Sequence, residues 1–168
     1  MKTIVIGLGN PILGDDGVGW HVVEQVARQF SPDHLPTGEE HSGEGEIEFD
    51  YVSLGGLSLM ERLTGYWRVV LVDSMKTGDH PIGTVSQFAL SDLPDLIAGH
   101  SASAHDTSLR NALEVGRSMN VPLPKDKDVL VVAIEAEKVY DFSEHLSPAV
   151  EAALPAAVQA VLELLQIQ

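Results

Sequence analysis

Within the first thirty residues a β-branched run, a glycine-punctuated loop and an amphipathic helix follow one another, and this unit sets the class of fold. Thr3 to Ile6 is a short β-branched run, of the kind that fills a strand buried on both faces. Gly7 and Gly9 then allow a sharp turn or a close approach of backbone. Val18, Val22, Val23, Val26, Ala27 and Phe30 recur at helical spacing, with Glu24, Gln25, Arg28 and Gln29 on the other side. Two consecutive carboxylates, Asp15 and Asp16, stand between strand and helix, flanked by Gly14 and Gly17. That position lies beyond the carboxyl end of a strand, where open α/β sheets keep their sites.

The rest of the chain repeats the alternation of strand and helix. Ser31 to Gly45 reads as a polar loop rich in Pro and Gly; its Glu39-Glu40-His41 and Glu44 make a poor metal site in so polar a segment. From Glu46 to Leu54, Ile47, Phe49, Tyr51 and Ser53 alternate with Glu46, Glu48 and Asp50, which predicts a strand stopped by Gly55-Gly56. Leu57, Met60, Glu61 and Leu63 predict a short helix. Trp67 to Asp73 is the clearest buried strand, with Asp73 closing it, and Gly83 to Leu90 is another. The connection between these two is too short for a crossover helix, so the fourth strand should run antiparallel to the third. A long link follows, with a turn of helix expected at Leu93–Ile97. Leu109, Ala112, Leu113 and Gly116 then mark a helix that Asp106 or Thr107 can cap. Val129 to Ile134 is the last strand, with Glu135 just beyond it. Ser147-Pro148 supplies a capping hydroxyl and a first-turn proline for a helix to about Leu165, bent at Pro155. The expected fold is a single domain over 1–168. It is a three-layer α/β/α sandwich on a mixed five-stranded, mostly parallel sheet with one antiparallel strand.

Charge and cysteine content narrow the function. The 25 Asp and Glu against 10 Lys and Arg leave a net charge of −15, which disfavours nucleic acid and anionic membrane surfaces. The absence of cysteine removes disulfides, thiolate metal sites and cysteine-peptidase chemistry together. No apolar run approaches a membrane span and the N-terminus carries no export signal, so a cytoplasmic protein without membrane insertion is expected; a monomer is expected without a sequence feature that decides it.

The first loop admits two bland readings. A dinucleotide site would use Gly7 and Gly9, but Ile12 stands at the third glycine position, Pro11 alters the turn, and two acids would repel a pyrophosphate. A helix cap would account for Asp15 or Asp16, not for both. A site made by convergence accounts for more. With strands one and three parallel, Asp16 and Asp73 lie at the same edge of the sheet. The long link can bring His105 back to that edge, at the start of a helix. Two carboxylates and an imidazole suit nickel or zinc. Ser74 lacks the Gly-x-Ser-x-Gly elbow of a serine nucleophile. His21, His34, His41, His80 and His145 read as solvent-facing or structural, and His100 stays open.

The segment Gly7-Leu-Gly-Asn-Pro-Ile-Leu-Gly-Asp-Asp-Gly-Val-Gly19 resembles the N-terminal signature of the nickel-iron hydrogenase maturation endopeptidases. Gly55-Gly56-Leu57, Ser103-Ala104-His105 and Leu146-Ser-Pro-Ala-Val-Glu151 are similar to later segments of that family. The resemblance implies a phosphorylase/hydrolase-like fold and removal of the C-terminal extension of the hydrogenase large-subunit precursor, after nickel insertion. It implies that Asp16, Asp73 and His105 meet metal, that Asp16 and Asp73 are catalytic, and that Gly9, Asn10, Asp15, Gly55 and Gly56 position the loops. Some members carry Glu where this chain has Asp16. The nickel is expected to arrive with the substrate, with zinc or cadmium as stand-ins in crystals. Water could be activated by a carboxylate-held metal or by an aspartate acting as general base. The second is preferred, because a permanent metal would compete with recognition of the substrate's nickel. The alternative is a nickel-binding hydrogenase accessory protein with the same three ligands and no peptidase activity.

Overall fold

A computed structural model describes residues 2–30, 47–92 and 104–166, and the side chains of all of these except 104–108. In chain order its elements are β1 (Thr3–Leu8), α1 (Val18–Phe30), β2 (Ile47–Val52), α2 (Gly56–Arg62), β3 (Arg68–Met75), β4 (Val85–Ala89), α3 (Ala104–Ser118), β5 (Val129–Glu135) and α4 (Pro148–Gln166). The five strands form one sheet in the order β2-β1-β3-β5-β4. β2, β1, β3 and β5 are parallel, and β4 joins β5 antiparallel. The expected mixed, mostly parallel sheet is therefore present. β4 has the expected direction, but β5 lies between it and β3. Side-chain character explains the order: Val129, Val131, Val132 and Ile134 of β5 are all buried, whereas Gln87 of β4 is exposed, which an edge strand tolerates.

Strand alternation builds two cores, one on each face. Val5, Val70, Val72, Val132 and Ile134 pack with the buried sides of α1 and α4. Ile4, Ile6, Leu8, Val69, Leu71, Val129 and Val131 pack with Leu59, Met60 and Leu63 around α2 and with Leu109, Ala112 and Leu113 of α3. Because both faces are covered, the parallel strands β1, β3 and β5 read as nearly continuous apolar runs, while β2, at the sheet edge, alternates.

Several boundaries differ from the sequence reading. β1 continues through Gly7 to Leu8, and β3 continues past Asp73 to Met75. Asp73 therefore sits inside the ladder, opposite Ala133, rather than after it. α3 already begins at Ala104, so Asp106 and Thr107 lie within its first turn and not at its cap. The Ser147 hydroxyl donates to the Asp15 carboxylate, 2.9 Å away, instead of serving only its own helix. α4, by contrast, spans the expected length with Pro155 inside it. The turn of helix expected at 93–97, the acidic cluster at 39–44 and His34, His41 and His100 fall outside the described residues.

By length and composition α4 is apolar enough to cross a membrane, which the strand-sized apolar runs did not suggest. Val150, Ala153, Ala157, Val158, Val161 and Leu165 bury one of its faces against α1 and β5, so its apolar character has a place in the core.

At the amino edge the polar face of β2 is closed by charge. Glu48 pairs with Lys2 at 2.6 Å and accepts a hydrogen bond from the Tyr66 hydroxyl, while Arg62 pairs with Asp50. Partial burial pushes the Glu48 carboxyl up, but Lys2, Tyr66 and Arg62 outweigh it and hold the carboxyl below its usual range. A carboxyl lowered on folding stabilises above its unfolded pKa and loses that contribution as pH falls through the folded value. Glu48→Gln should therefore lower stability at neutral pH by under about 1 kcal/mol, given solvent screening, and the difference should vanish in acid. Urea midpoints at neutral and acid pH would check it.

Candidate active site

Four parallel strands place their carboxyl ends at one edge, and the loops leaving them carry the candidate residues. After β1 the chain turns at Gly9 (φ +109). A Cβ there would lie 1.9 Å from the Asp16 carbonyl oxygen. At Gly19 a Cβ would meet the carbonyl oxygens of Val72 and Leu8 at 2.3 and 2.6 Å. The glycines thus let the start of α1 press onto the ends of β1 and β3. The space that a pyrophosphate would need beside Gly9 is filled by the chain's own backbone, which removes the dinucleotide reading.

The two adjacent aspartates have different surroundings. Asp15 is fully buried. Its carboxylate accepts from the Ser147 backbone N–H at 2.6 Å, the Ser147 hydroxyl at 2.9 Å and the Lys138 backbone N–H at 3.4 Å. Its own N–H donates to the Lys138 carbonyl, and Gly14 N–H donates to the Ser143 carbonyl. Asp15 thereby ties the first loop to the segment between β5 and α4. Asp16 is partly exposed. Its Oδ2 accepts from the Asn10 backbone N–H at 2.7 Å, and its Oδ1 accepts from the Ser74 hydroxyl at 3.3 Å. The Asn10 side chain accepts from the Ile12 N–H, which shapes the same turn.

Asp73 is 1% exposed, and its Oδ1 accepts from the Ser74 backbone N–H at 2.8 Å. Alternation along β3 puts Asp73 on the face covered by α2 and α3, and Ser74 on the face of α1. Ser74 thus touches both candidate carboxylates, with its N–H on one and its hydroxyl on the other. Its sequence context suggested only a nucleophile and gave no sign of this bridge; the one available signal is its position directly after Asp73. Gly55 and Gly56 open α2 beyond β2, and the Ser53 hydroxyl beside them donates to the Gly9 carbonyl at 2.6 Å.

His105 lies in the first turn of α3, with its side chain outside the described residues. The last turn of α3 is tied to the approach to β5: Arg117 donates to the Pro124 carbonyl and pairs with Asp126 at 2.7 Å. That anchors the C-terminal end of α3 at the amino edge of the sheet. The helix rises about 1.5 Å per residue, so its first turn lies toward the opposite edge. Among the described residues no group of three or more His, Asp or Glu side chains is close enough to hold a metal. The described part of the site is therefore the Asp16–Ser74–Asp73 array. Glu135, buried at the end of β5, accepts from the Thr77 N–H and hydroxyl and the Gly78 N–H, each at 2.8 Å, and so holds the β3–β4 turn.

A family model described as HycI, hydrogenase maturation protease, matches residues 53–164 of the 168-residue chain. This chain belongs to the hydrogenase maturation protease family. The matched span contains Asp73 and His105; the loop bearing Asp16 precedes it. A curated relative, the hydrogenase expression/formation protein HupD of Thiocapsa roseopersicina, is 22% identical over 98% of this chain and 67% of its own length. The fold resembles the hydrogenase maturating endopeptidase HybD of E. coli, with TM-score 0.72 and 20% identity over 99% of this chain and 93% of that one. It also resembles the [NiFe] hydrogenase maturation protease HybD of Thermococcus kodakarensis, with TM-score 0.71 and 20% identity over 99% and 100%. Membership makes the chain a peptidase.

Proposed function

We propose that the peptidase removes the C-terminal extension of a nickel-iron hydrogenase large-subunit precursor, recognising nickel that the substrate carries. The observation that supports this reading is the Asp16–Ser74–Asp73 array at the carboxyl edge of a hydrogenase maturation protease fold. Peptide hydrolysis needs a base that takes a proton from water as it attacks the scissile carbonyl, and a route for that proton to the leaving amine. Asp16 is the carboxylate that solvent reaches, and its two oxygens are oriented by Asn10 and Ser74. It is assigned the water. Asp73, almost fully buried, is assigned to the substrate's metal, with His105 as the nitrogen donor from α3. Carboxylate and imidazole ligands suit nickel. Zinc or cadmium would occupy the same donors in a soaked crystal.

The test is a mass measurement on purified precursor, loaded with nickel or free of it. Incubation with this protein should release one C-terminal fragment from the nickel-loaded form alone. Equal cleavage of nickel-free precursor by metal-stripped protein would overturn nickel recognition. An unchanged mass in both would leave a nickel-binding accessory role. The same reading expects a monomer in solution.

A further inference from the structure

The carboxyl edge carries apolar side chains that folding does not use. Tyr140 and Phe142 are 80% and 87% exposed, and Ile12, Leu54 and Leu57 are exposed as well. All five lie in segments that leave the carboxyl ends of β1, β2 and β5, the edge that also holds Asp16 and Asp73. The backbone beneath the aromatic pair is firmly held. Ser143 N–H donates to the Ile12 carbonyl, Gly14 N–H to the Ser143 carbonyl, and Asp15 N–H to the Lys138 carbonyl, at 3.1, 2.7 and 3.0 Å. Lys76 Nζ donates to the Glu137 carbonyl, and Val139, between the two ends of this segment, is buried in the core.

We propose that Tyr140 and Phe142, together with Ile12, Leu54 and Leu57, form the docking surface for the large-subunit precursor, an inference that rests on the peptidase reading above. An ordered loop that leaves two aromatic rings in water has already lost the backbone entropy that binding would otherwise cost. Aromatic anchors of this kind carry much of the energy of protein interfaces. The loop is hydrogen-bonded to Ile12, Gly14 and Asp15, immediately before Asp16, so a body seated on it is held beside the candidate carboxylates. A second copy of this chain seated there would cover the edge that Asp16 and Asp73 occupy, which favours substrate as the occupant. Residues 137–145 contain three carboxylates and one lysine, so the matching precursor surface is apolar with a basic rim.

The test is the double variant Tyr140→Ser/Phe142→Ser, with Trp67→Ser as control. Trp67 is 69% exposed and lies at the opposite, amino edge. The double variant should raise Kd and KM for nickel-loaded precursor roughly tenfold or more. Its kcat and thermal midpoint should stay at the wild-type values, because both side chains already stand in water. Trp67→Ser should change none of these. Wild-type protein that cleaves precursor, paired with a double variant of unchanged Kd, would overturn the docking surface and leave the peptidase reading intact. Wild-type protein that binds without cleaving would remove the peptidase reading, and the Kd comparison would still decide the surface. Absence of wild-type binding would overturn the surface, as would a wild-type dimer that the double substitution converts to monomer at unchanged Kd.

Discussion

Asp16→Asn is expected to abolish cleavage of the nickel-loaded precursor while leaving the protein folded. Asparagine keeps the volume of the side chain and one acceptor oxygen. That oxygen can still accept from the Asn10 N–H now 2.7 Å from Oδ2, and the new amide can donate to the Ser74 hydroxyl now 3.3 Å from Oδ1. The local hydrogen bonds therefore survive in altered form, and the stability change should stay within about 1 kcal/mol. What is lost is the negative charge and the capacity to take a proton. Loss of a general base lowers rates by about 10²–10⁴-fold. Precursor mass over time, read beside the thermal midpoint, separates the two effects. Cleavage by the Asn variant at near the wild-type rate would remove Asp16 from the chemistry.

Ser74 is tied to the same question. Its hydroxyl reaches Asp16 and its N–H reaches Asp73, so the two carboxylates belong to one array even though they leave different strands. Nothing in the residue pattern predicted that link, because it depends on how β3 alternates. The strand runs on to Met75, and the continued pleat turns Asp73 and Ser74 to opposite faces. A strand ending at Asp73 would have left Ser74 free to turn anywhere.

The legible parts of the sequence are those in which local pattern and burial agree. The apolar runs Thr3–Ile6, Trp67–Asp73 and Val129–Ile134 locate strands that are buried on both faces, and the short link after β3 correctly implies a reversed strand. The place of β4 outside β5 was not legible, since strand order depends on which strand loses most by exposure, a comparison across the whole sheet. Nor was the role of Asp15. In sequence it differs from Asp16 by one position; in the fold its partners, Lys138 and Ser147, come from more than 120 residues away. The small size of Gly7 and Gly9 was legible as a turn or a close approach, and in the structure each faces backbone; the close approach at Gly19 was not read from the sequence. The first turn of α3 shows the opposite limit. Asp106 and Thr107 have the chemistry of caps, yet the helix begins before them, because capping propensity places a helix end only to within a residue or two.

Asp15→Ala should produce the largest loss of stability in the loop, and it should do so through the groups left behind. The carboxylate is fully buried and receives the N–H and the hydroxyl of Ser147 and the N–H of Lys138. Removing it strands the Ser147 donors at the start of α4 and the Lys138 N–H just after β5. Hydrogen bonds to a charged group contribute about 1.5–3 kcal/mol each, and the three share one acceptor, so roughly 3–4 kcal/mol in total is expected rather than their sum. That is a large part of the 5–15 kcal/mol typical of a folded domain. Ser147→Ala removes only the hydroxyl, and about 1 kcal/mol should go with it. Urea unfolding measures both, as a lower midpoint at constant slope. The neighbouring aspartates should then separate cleanly: Asp16→Asn loses catalysis at nearly full stability, and Asp15→Ala loses stability first. If Asp15→Ala leaves the urea midpoint in place, the tie between the first loop and α4 does not hold the edge together. The orientation of Asp16, which Asn10 and Ser74 help to set, must then be independent of that tie.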